Sequence, residues 1–415
     1  MKLCVVENML VYDTLSRRNK KFVPMRKGEV RMYTCGPSVY STPHIGNFRT
    51  YIVEDVVKRV LISNGYRVNH TMNITDIEDK MVRAAKGSMG NMQKIVRENE
   101  KLFMKNSRKL NLIPADNYPR ATQNIRQMVA LIKKLIDKGL AYKDEEGNVF
   151  FDVSRFPRYG MISHYKFKHK LDKRIYRDDY SQSEAGDFIL WKAWKKSDGD
   201  IFWDTELGRG RPGWHIECSA MSIRYLGAPF DIHIGGIDNI FSHHENEIAQ
   251  SAGATGKIPA RYWMHVRHLM IYGKKMSKSL GRSYTVDELR RRRYRYDAIR
   301  AYLLSEHYRR RLNFTFQGLC RKAREIGRCK GLIRNLERVK PVKDSKTADR
   351  IIEKSVADFE FHINNDIDTP EAIETLCSLV RKLEALERKR KLGVGNAKRA
   401  LDAIKRMDSV LGFIF

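Results

Sequence analysis

His44-Ile45-Gly46-Asn47, at the head of an apolar-periodic stretch, has the make-up of a phosphate seat. At a helix start the His44 imidazole and the backbone N–H groups can face phosphate oxygens, and Gly46 lets an adenine approach the backbone closely. Far downstream, Lys275-Met276-Ser277-Lys278-Ser279 puts two lysines on a polar loop. Cations so placed neutralise a departing pyrophosphate, a charge that grows toward the transition state, and Lys278 is the first candidate for that contact. Just before the first segment lies Cys35, and between the two lie Cys218, His243 and Glu247. His243 and Glu247 are four residues apart, so on a helix they share one face and can grip one ion. Two thiolates, an imidazole and a carboxylate make a zinc-type donor set, and zinc's affinity for thiolate lets such a site read a thiol substrate. Each piece alone has a commoner explanation: a surface turn, a small buried cysteine, a solvated helix face. A nucleotide grip together with a thiol-reading metal implies adenylation of cysteine.

The elements that must position these groups follow from periodicity. A short strand is predicted over 31–34, a turn over 35–38 and a helix over 47–64, with Ile52, Val56, Val57, Val60 and Leu61 on one face. A second strand over 68–72 completes a strand-helix-strand unit, half of a doubly wound sheet. From Tyr118 to Ala193 the chain changes character, with a helix over 121–138 and short apolar runs such as 149–153. The sheet resumes near Gly213, with a buried strand over 230–234 and a helix starting near Ser242. Cys35 and Cys218 are expected at two strand ends, at the edge of the sheet where ligands bind. After the lysine loop come Arg290 to Arg293 and Arg309 to Arg311, then amphipathic helices over 320–336, 348–364 and 370–390. Gly208-Arg209-Gly210-Arg211-Pro212-Gly213 fits the G-x-G-x-x-G dinucleotide pattern by letter, but Pro212 and two loop arginines count against it.

Composition narrows the class. The chain of 415 residues has 79 Lys and Arg against 49 Asp and Glu, a net charge of +30. Such an excess repels itself in a compact state and suits a polyanionic partner, nucleic acid first. Six cysteines, at 4, 35, 218, 320, 329 and 377, form no dense disulfide framework, so a reduced, cytoplasmic setting is expected. Glu7 interrupts what would have to be the core of a signal peptide, no segment has membrane-spanning length, and no membrane partner is expected.

The chain resembles cysteinyl-tRNA synthetases, class I aminoacyl-tRNA synthetases, along nearly its full length. The resemblance runs from Tyr33-Thr34-Cys35-Gly36-Pro37-Ser38-Val39-Tyr40 through Asn73-Ile74-Thr75-Asp76-Ile77-Glu78-Asp79-Lys80, Gly213-Trp214-His215-Ile216-Glu217-Cys218 and His243-His244-Glu245-Asn246-Glu247 to the lysine loop. It implies an α/β fold, a Rossmann-like catalytic domain split by an insertion and followed by a stem-contact region and a C-terminal α-helical bundle. The implied limits are 1–117 and 196–268 for the catalytic halves, 118–195 for an insertion that meets the acceptor end, 269–317 for the signature loop and stem contact, and 318–415 for the bundle on the anticodon side. It implies a monomer whose partners are tRNA-Cys, L-cysteine and ATP with Mg2+, and one Zn2+ held by Cys35, Cys218, His243 and Glu247. His44, Asn47, Lys275 and Lys278 are the implied catalytic residues. Gly46, Asp238, His244 and Lys278 would bind ATP, with Asp238 on the ribose. Thr75, Trp214 and His215 would surround the cysteine, and Arg290, Arg291, Arg292 and Arg293 would meet tRNA phosphates.

This sequence departs from the family pattern at Phe48, Ile234, Ser242 and Arg282, none of them a chemical ligand. Many family members continue past the equivalent of Phe415 into a small anticodon-reading domain, so anticodon reading is expected to be weaker or to fall to the basic bundle. Two other readings compete. A cysteine ligase that gives the same adenylate to an amino-sugar has no use for a charge of +30, and differs around Pro37-Ser38-Val39-Tyr40. An inactive RNA-binding relative could lose His44, Lys278 and the four donors without cost, yet all are present.

Overall fold

A computed structural model of the chain describes residues 9–166, 173–275, 283–340 and 342–415. An antiparallel pair, β1 (Leu10–Asp13) and β2 (Arg18–Lys21), leads into β3 (Glu29–Thr34), whose last five residues are all buried. Its Val30 and Met32 suit a strand covered on both faces. α1 (Ile45–Ser63) crosses to β4 (Arg67–Met72), parallel to β3. α2 (Asp79–Ala85) and the long α3 (Met89–Lys109) follow. α3 buries only a sparse stripe, chiefly Met92, Val96 and Phe103, so a run this polar gave little warning of a helix of 21 residues.

The predicted helix over 121–138 starts as a tight turn, Ala121–Asn124, before α4 (Ile125–Asp137). A small mixed sheet comes next, built from β5 (Ala141–Lys143), β6 (Val149–Phe151), β7 (Arg174–Ile175), β8 (Asp187–Ala193) and β9 (Gly210–Pro212). A Cβ on Gly210 would come 2.1 Å from the Lys192 carbonyl oxygen, and one on Gly213 2.4 Å from that of Ile189. These glycines let the chain pass closely along β8, which accounts for the G-x-G-x-x-G letters without a nucleotide.

α5 (Trp214–Leu226), β10 (Phe230–Gly236), α6 (Glu245–Thr255) and β11 (Ala260–Val266) complete the central sheet. Its order is β11-β10-β3-β4 and every pairing is parallel. The chain leaves β3 toward one edge and β10 toward the other, so β3 and β10 border the crevice where ligands of doubly wound sheets sit. β12 (Leu269–Ile271), β13 (Lys274–Lys275) and, after α7 (Val286–Arg291) and α8 (Tyr296–Leu303), β14 (Leu312–Phe314) form a second small sheet. The C-terminal part is helical: α9 (Phe316–Leu336), α10 (Lys346–Asn364), α11 (Thr369–Arg388) and α12 (Val394–Leu411). No described helix is long and apolar enough to cross a membrane.

Buried arginines fasten α1 to its surroundings. The Arg49 guanidinium donates to the carbonyls of Arg267 and His268, both at 2.9 Å, and to those of His307 and Arg310 at 3.1 and 2.7 Å. Burial lowers its pKa to about 10, which leaves it charged at neutral pH. One side chain thus ties the helix that starts at His44 to the chain on either side of the second sheet. A lysine has the charge but no planar fork. Arg49→Lys is expected to strand several of these carbonyls and to cost about 2–4 kcal/mol of stability. Chemical denaturation of the two proteins would check this; a loss within error of zero would mean that water replaces the fork.

Candidate active site and metal centre

His44 is the N-cap of α1. Its Nδ1 accepts from the Asn47 backbone N–H at 3.2 Å, and Asn47 Oδ1 accepts from the His44 N–H at 3.0 Å. This reciprocal capping box fixes the imidazole at the positive end of a 19-residue helix. A neutral imidazole that accepts at Nδ1 carries its proton on Nε2, the tautomer needed to donate to a phosphate oxygen. The Ile45 N–H donates to the Tyr284 carbonyl at 2.8 Å, and His44 bridges Thr285. The segment just past the lysine loop therefore lies against the first signature.

A cavity of about 280 Å³ opens here. His44, Gly46 and Asn47 line one side, Trp214 and His243 another, and Asp238 with Asn239 the rim. Its floor includes Cys35, Cys218 and Thr75. Asn73 shapes that floor: its Oδ1 accepts from the Gly36 N–H and its Nδ2 donates to Thr75 Oγ1, both at 3.0 Å. A Cβ on Gly36 would lie 1.8 Å from the Asn73 carbonyl oxygen, so only glycine fits beside it.

The donor atoms of Cys35, Cys218, His243 and Glu247 all lie within 4.8 Å of one another. Cys35 follows β3 and is set by its N–H bond to the Ile234 carbonyl, at 3.0 Å. Thus Ile234, one of the departures, contributes through its backbone and is itself buried. Cys218 comes from the second turn of α5, not from a strand end as expected; the strand before it, β9, stops at Pro212 and the helix begins at Trp214. His243 is the next-to-last residue of a wide turn, Ile240–His244, that is kinked at Phe241 and runs directly into α6, so the four-residue spacing does place it over Glu247. Its Nε2 is 3.1 Å from Glu247 Oε1. That buried oxygen nevertheless makes no hydrogen bond, so the pair share a position without bonding each other.

The electrostatics suit a cation. Burial, and then the neighbouring Cys218 thiol, push the Cys35 thiol well above its ordinary value. Burial pulls His243 down to about 3 even though the Glu247 charge opposes it. A neutral imidazole is what a metal ligand must be, while the Cys35 thiol needs a cation to ionise. Zinc bonds of about 2.0–2.3 Å in a tetrahedron separate their ligands by about 3.3–3.8 Å, compatible with this cluster.

The other sequence-derived candidates fall in different places. Trp214 stacks on His243 with centroids 4.2 Å apart and planes at 19°. His215 is fully buried behind that pair, Nδ1 to Nδ1 3.1 Å from His243, and does not line the cavity. His244 is also behind the wall, with Nε2 3.2 Å from Cys35 Sγ and Nδ1 2.8 Å from His265 Nε2. Asp238 is on the rim, 3.3 Å from His268 Nδ1. Lys275 closes β13, and Lys278 and Arg282 lie outside the described residues. Arg290 donates to the Tyr294 carbonyl at 2.6 Å and covers the Tyr296 ring, and Arg292 covers Phe316, each at 4.7 Å. Arg291 and Arg293 are exposed.

Sequence reasoning missed His233 and His265. His233 Nε2 is 3.0 Å from Glu247 Oε2, and Cys35, His233, His244 and Glu247 make a second group of donors within reach of one ion. The available signal was alternation: Asp231, His233 and Gly235 share one face of β10, while Trp263 and His265 share one face of β11. Polar residues on a strand buried on both faces call for partners.

Residues 21–324 match the family model of the class I (C) tRNA synthetase catalytic domain. The chain is 40% identical over 425 residues to a cysteine-tRNA ligase of Chlamydia muridarum, covering 98% of this chain and 88% of that relative. It is 42% identical over 403 residues to one from Solibacter usitatus, covering 96% and 85%. Among solved structures, methionyl-tRNA synthetase of Mycobacterium tuberculosis bound to methionyl-adenylate superposes with a TM-score of 0.65 at 16% identity, covering 93% of this chain and 90% of the other. The LeuRS of Agrobacterium radiobacter in complex with tRNA and LeuAMS gives 0.69 at 12% identity, covering 95% and 85%. These two likenesses establish the class I synthetase fold, and with the closer relatives they decide the family: the chain belongs to the class I cysteine-tRNA ligases.

Proposed function

We propose that the protein joins L-cysteine to tRNA-Cys in two steps on the cavity just described. The observation that carries this is one cavity lined by a phosphate-facing helix cap and three of four thiol-compatible metal donors, in a chain 40% identical to a cysteine-tRNA ligase. In the first step the cysteine carboxylate attacks the α-phosphorus of ATP, and pyrophosphate leaves with its Mg2+. His44 donates from Nε2 to the α-phosphate oxygen, Gly46 leaves room for the adenine and Asp238 accepts from the ribose. Lys275 and Lys278 neutralise the departing pyrophosphate. In the second step the terminal ribose hydroxyl of the tRNA attacks the activated carbonyl and AMP leaves.

Cys35, Cys218, His243 and Glu247 would hold Zn2+, which when bound supplies a seat that takes a substrate thiol as thiolate. Serine and alanine offer no such group, and a site that leaves a strong binding partner unsatisfied rejects the wrong substrate by about four to five decades. Trp214 and Thr75 give the seat an apolar wall and a polar floor, and His215 and His244 brace it from behind. The second donor group, with His233 and His244, shares Cys35 and Glu247 with the first. Within the domain limits proposed above, residues 118–195 contain α4 and β5 to β8 but leave out β9 of the same sheet, and 318–415 hold all but the first two residues of α9 and all of α10 to α12. We assign the first to the acceptor end and the second to the anticodon side. Of the four arginines proposed for tRNA phosphates, Arg291 and Arg293 are the better placed, because Arg290 and Arg292 stack on rings. The +30 charge favours the tRNA acceptor over an amino-sugar.

Cysteine-dependent exchange of pyrophosphate into ATP, run beside charging of tRNA-Cys transcripts, tests the whole reading. Both activities are expected; exchange without charging would move the acceptor to another molecule, and absence of both would leave an RNA-binding relative. Cys218→Ser and His243→Ala should each lose most of the zinc seen by elemental analysis, together with selectivity against serine. Full metal retention in both would sink the ligand assignment. Lys278→Ala should keep the metal and slow exchange about 100-fold or more, as removal of one transition-state contact does. Asn47→Ala removes half of the capping box, so a stability loss of about 1 kcal/mol is expected along with slower exchange, because the imidazole is no longer held. Unchanged exchange would show that His44 needs no such support.

A further inference from the structure

Glu245 is buried at the first position of α6 and does not line the cavity. Its carboxylate accepts four successive backbone N–H groups: Gly160 at 2.9 Å and Met161 at 3.0 Å on Oε1, Ile162 at 3.2 Å and Ser163 at 2.9 Å on Oε2. A run of N–H groups converging on one anion is a nest, here filled by a side chain from a distant part of the chain. Both partners depend on the contact. Without the carboxylate, buried N–H groups lose their acceptor, and without the loop a buried carboxylate loses these four donors.

Asn246 doubles the attachment. Its Oδ1 accepts from the Tyr159 hydroxyl at 2.5 Å, and its Nδ2 donates to the Tyr180 hydroxyl at 2.7 Å. The Tyr159 ring packs on Phe188 of β8, which stacks on Phe151 of β6 at 5.0 Å. Tyr180 stands edge-on to His215, which reaches His243. The part of the small sheet that lies in 118–195, β5 to β8, is therefore hung from the helix that carries Glu247, immediately beside the metal donors. Yet among the described residues none that lines the cavity lies in 118–195. A contact that fixes that region therefore acts first on whatever the region holds.

We propose that Glu245 and Asn246 are positioning residues for the transfer step: they set the 118–195 region on the metal-bearing helix so that an acceptor end held there reaches the adenylate. The inference rests on the function proposed above. Glu245→Gln keeps the size but offers a single acceptor oxygen to four N–H groups. Tyr159→Phe removes the hydroxyl, with its bonds to Asn246 and Tyr180, and keeps the ring stack. For both, zinc content and the kcat/KM of cysteine-dependent exchange are expected within about twofold of the unaltered enzyme, while kcat/KM for tRNA charging falls, about tenfold for Glu245→Gln and less for Tyr159→Phe. Trypsin should cut faster after Arg158 and Lys166 in Glu245→Gln, a readout independent of activity.

Exchange that falls in step with charging would make the contact a general support of the fold and overturn the proposal, as would charging left unchanged in both variants. If Glu245→Gln fails to fold, Tyr159→Phe carries the same split between exchange and charging. Absence of exchange in the unaltered enzyme would instead defeat the proposed function itself, whereas normal activity there with unaffected variants would defeat this inference alone.

Discussion

The parallel pairing of β3 with β10 is the constraint on which everything else depends. In that register Tyr33 lies beside His233 and Thr34 beside Ile234, and the next N–H, that of Cys35, closes onto the Ile234 carbonyl. A shift of one residue would send Cys35 to the opposite face and His233 away from Glu247. Because both strands end at the same edge, the turns that follow them, one entering α1 and the other entering α6, converge in space although they are far apart in the chain. The phosphate cap and the metal donors are consequences of that shared edge. Close packing then sets the composition: a Cβ on Gly235 would sit 2.9 Å from His244 Cε1, so the strand beneath the cluster must thin to backbone there.

Buried cations extend this frame outward. Arg49 joins α1 to the second sheet, and a second group joins it to the end of the bundle. Arg59 binds Asp55 at 2.8 Å and the Ser409 carbonyl at 2.8 Å, while Arg300, paired with the same Asp55, donates to the Leu411 carbonyl at 2.6 Å. Such groups stay buried because most of their N–H groups meet a carbonyl or a carboxylate; Arg49 Nε alone of those named here is buried without one. α1 is thus held at its start by the capping box, at its middle by Arg49 and toward its end by the Asp55 cluster. These arginines belong to the interior and make no contribution to a nucleic-acid surface. The large positive excess must be apportioned accordingly: some of it is internal fastening, some is stacked on rings, and the remainder faces solvent.

What the sequence disclosed divides along physical lines. Local rules were legible. The strand-helix-strand unit followed from periodicity, and the four-residue spacing of His243 and Glu247 needed only that the chain be helical there, which the wide turn did not disturb. The α/β class and the C-terminal helices also followed from pattern. Relations across the sheet were not legible. His233 and His265 look like isolated polar residues in apolar strands until register sets them against Glu247 and His244. Cys218 was expected at a strand end because the thiols had to converge; a helix that starts at Trp214 achieves the same convergence from the other side. Arg49 and Glu245 were invisible for another reason: their partners are backbone groups, and backbone carries no sequence signal.

The proposed chemistry makes different demands on the metal donors and on the lysines. Discrimination of a thiol requires donors that cannot rearrange around a smaller or neutral side chain, and these sit on helices and strands packed on both sides. Neutralisation of a departing pyrophosphate requires charges that arrive with the nucleotide and release the product. The Lys275 to Ser279 segment is anchored at both flanks: β13 pairs with β12 on one side, and on the other the Tyr284 carbonyl binds the Ile45 N–H beside His44. Its two attachments therefore lead to the same helix start that seats the phosphate. On the proposed function, the residue assigned to the α-phosphate and the lysines assigned to the leaving pyrophosphate are therefore tied through the described flanks to one helix start.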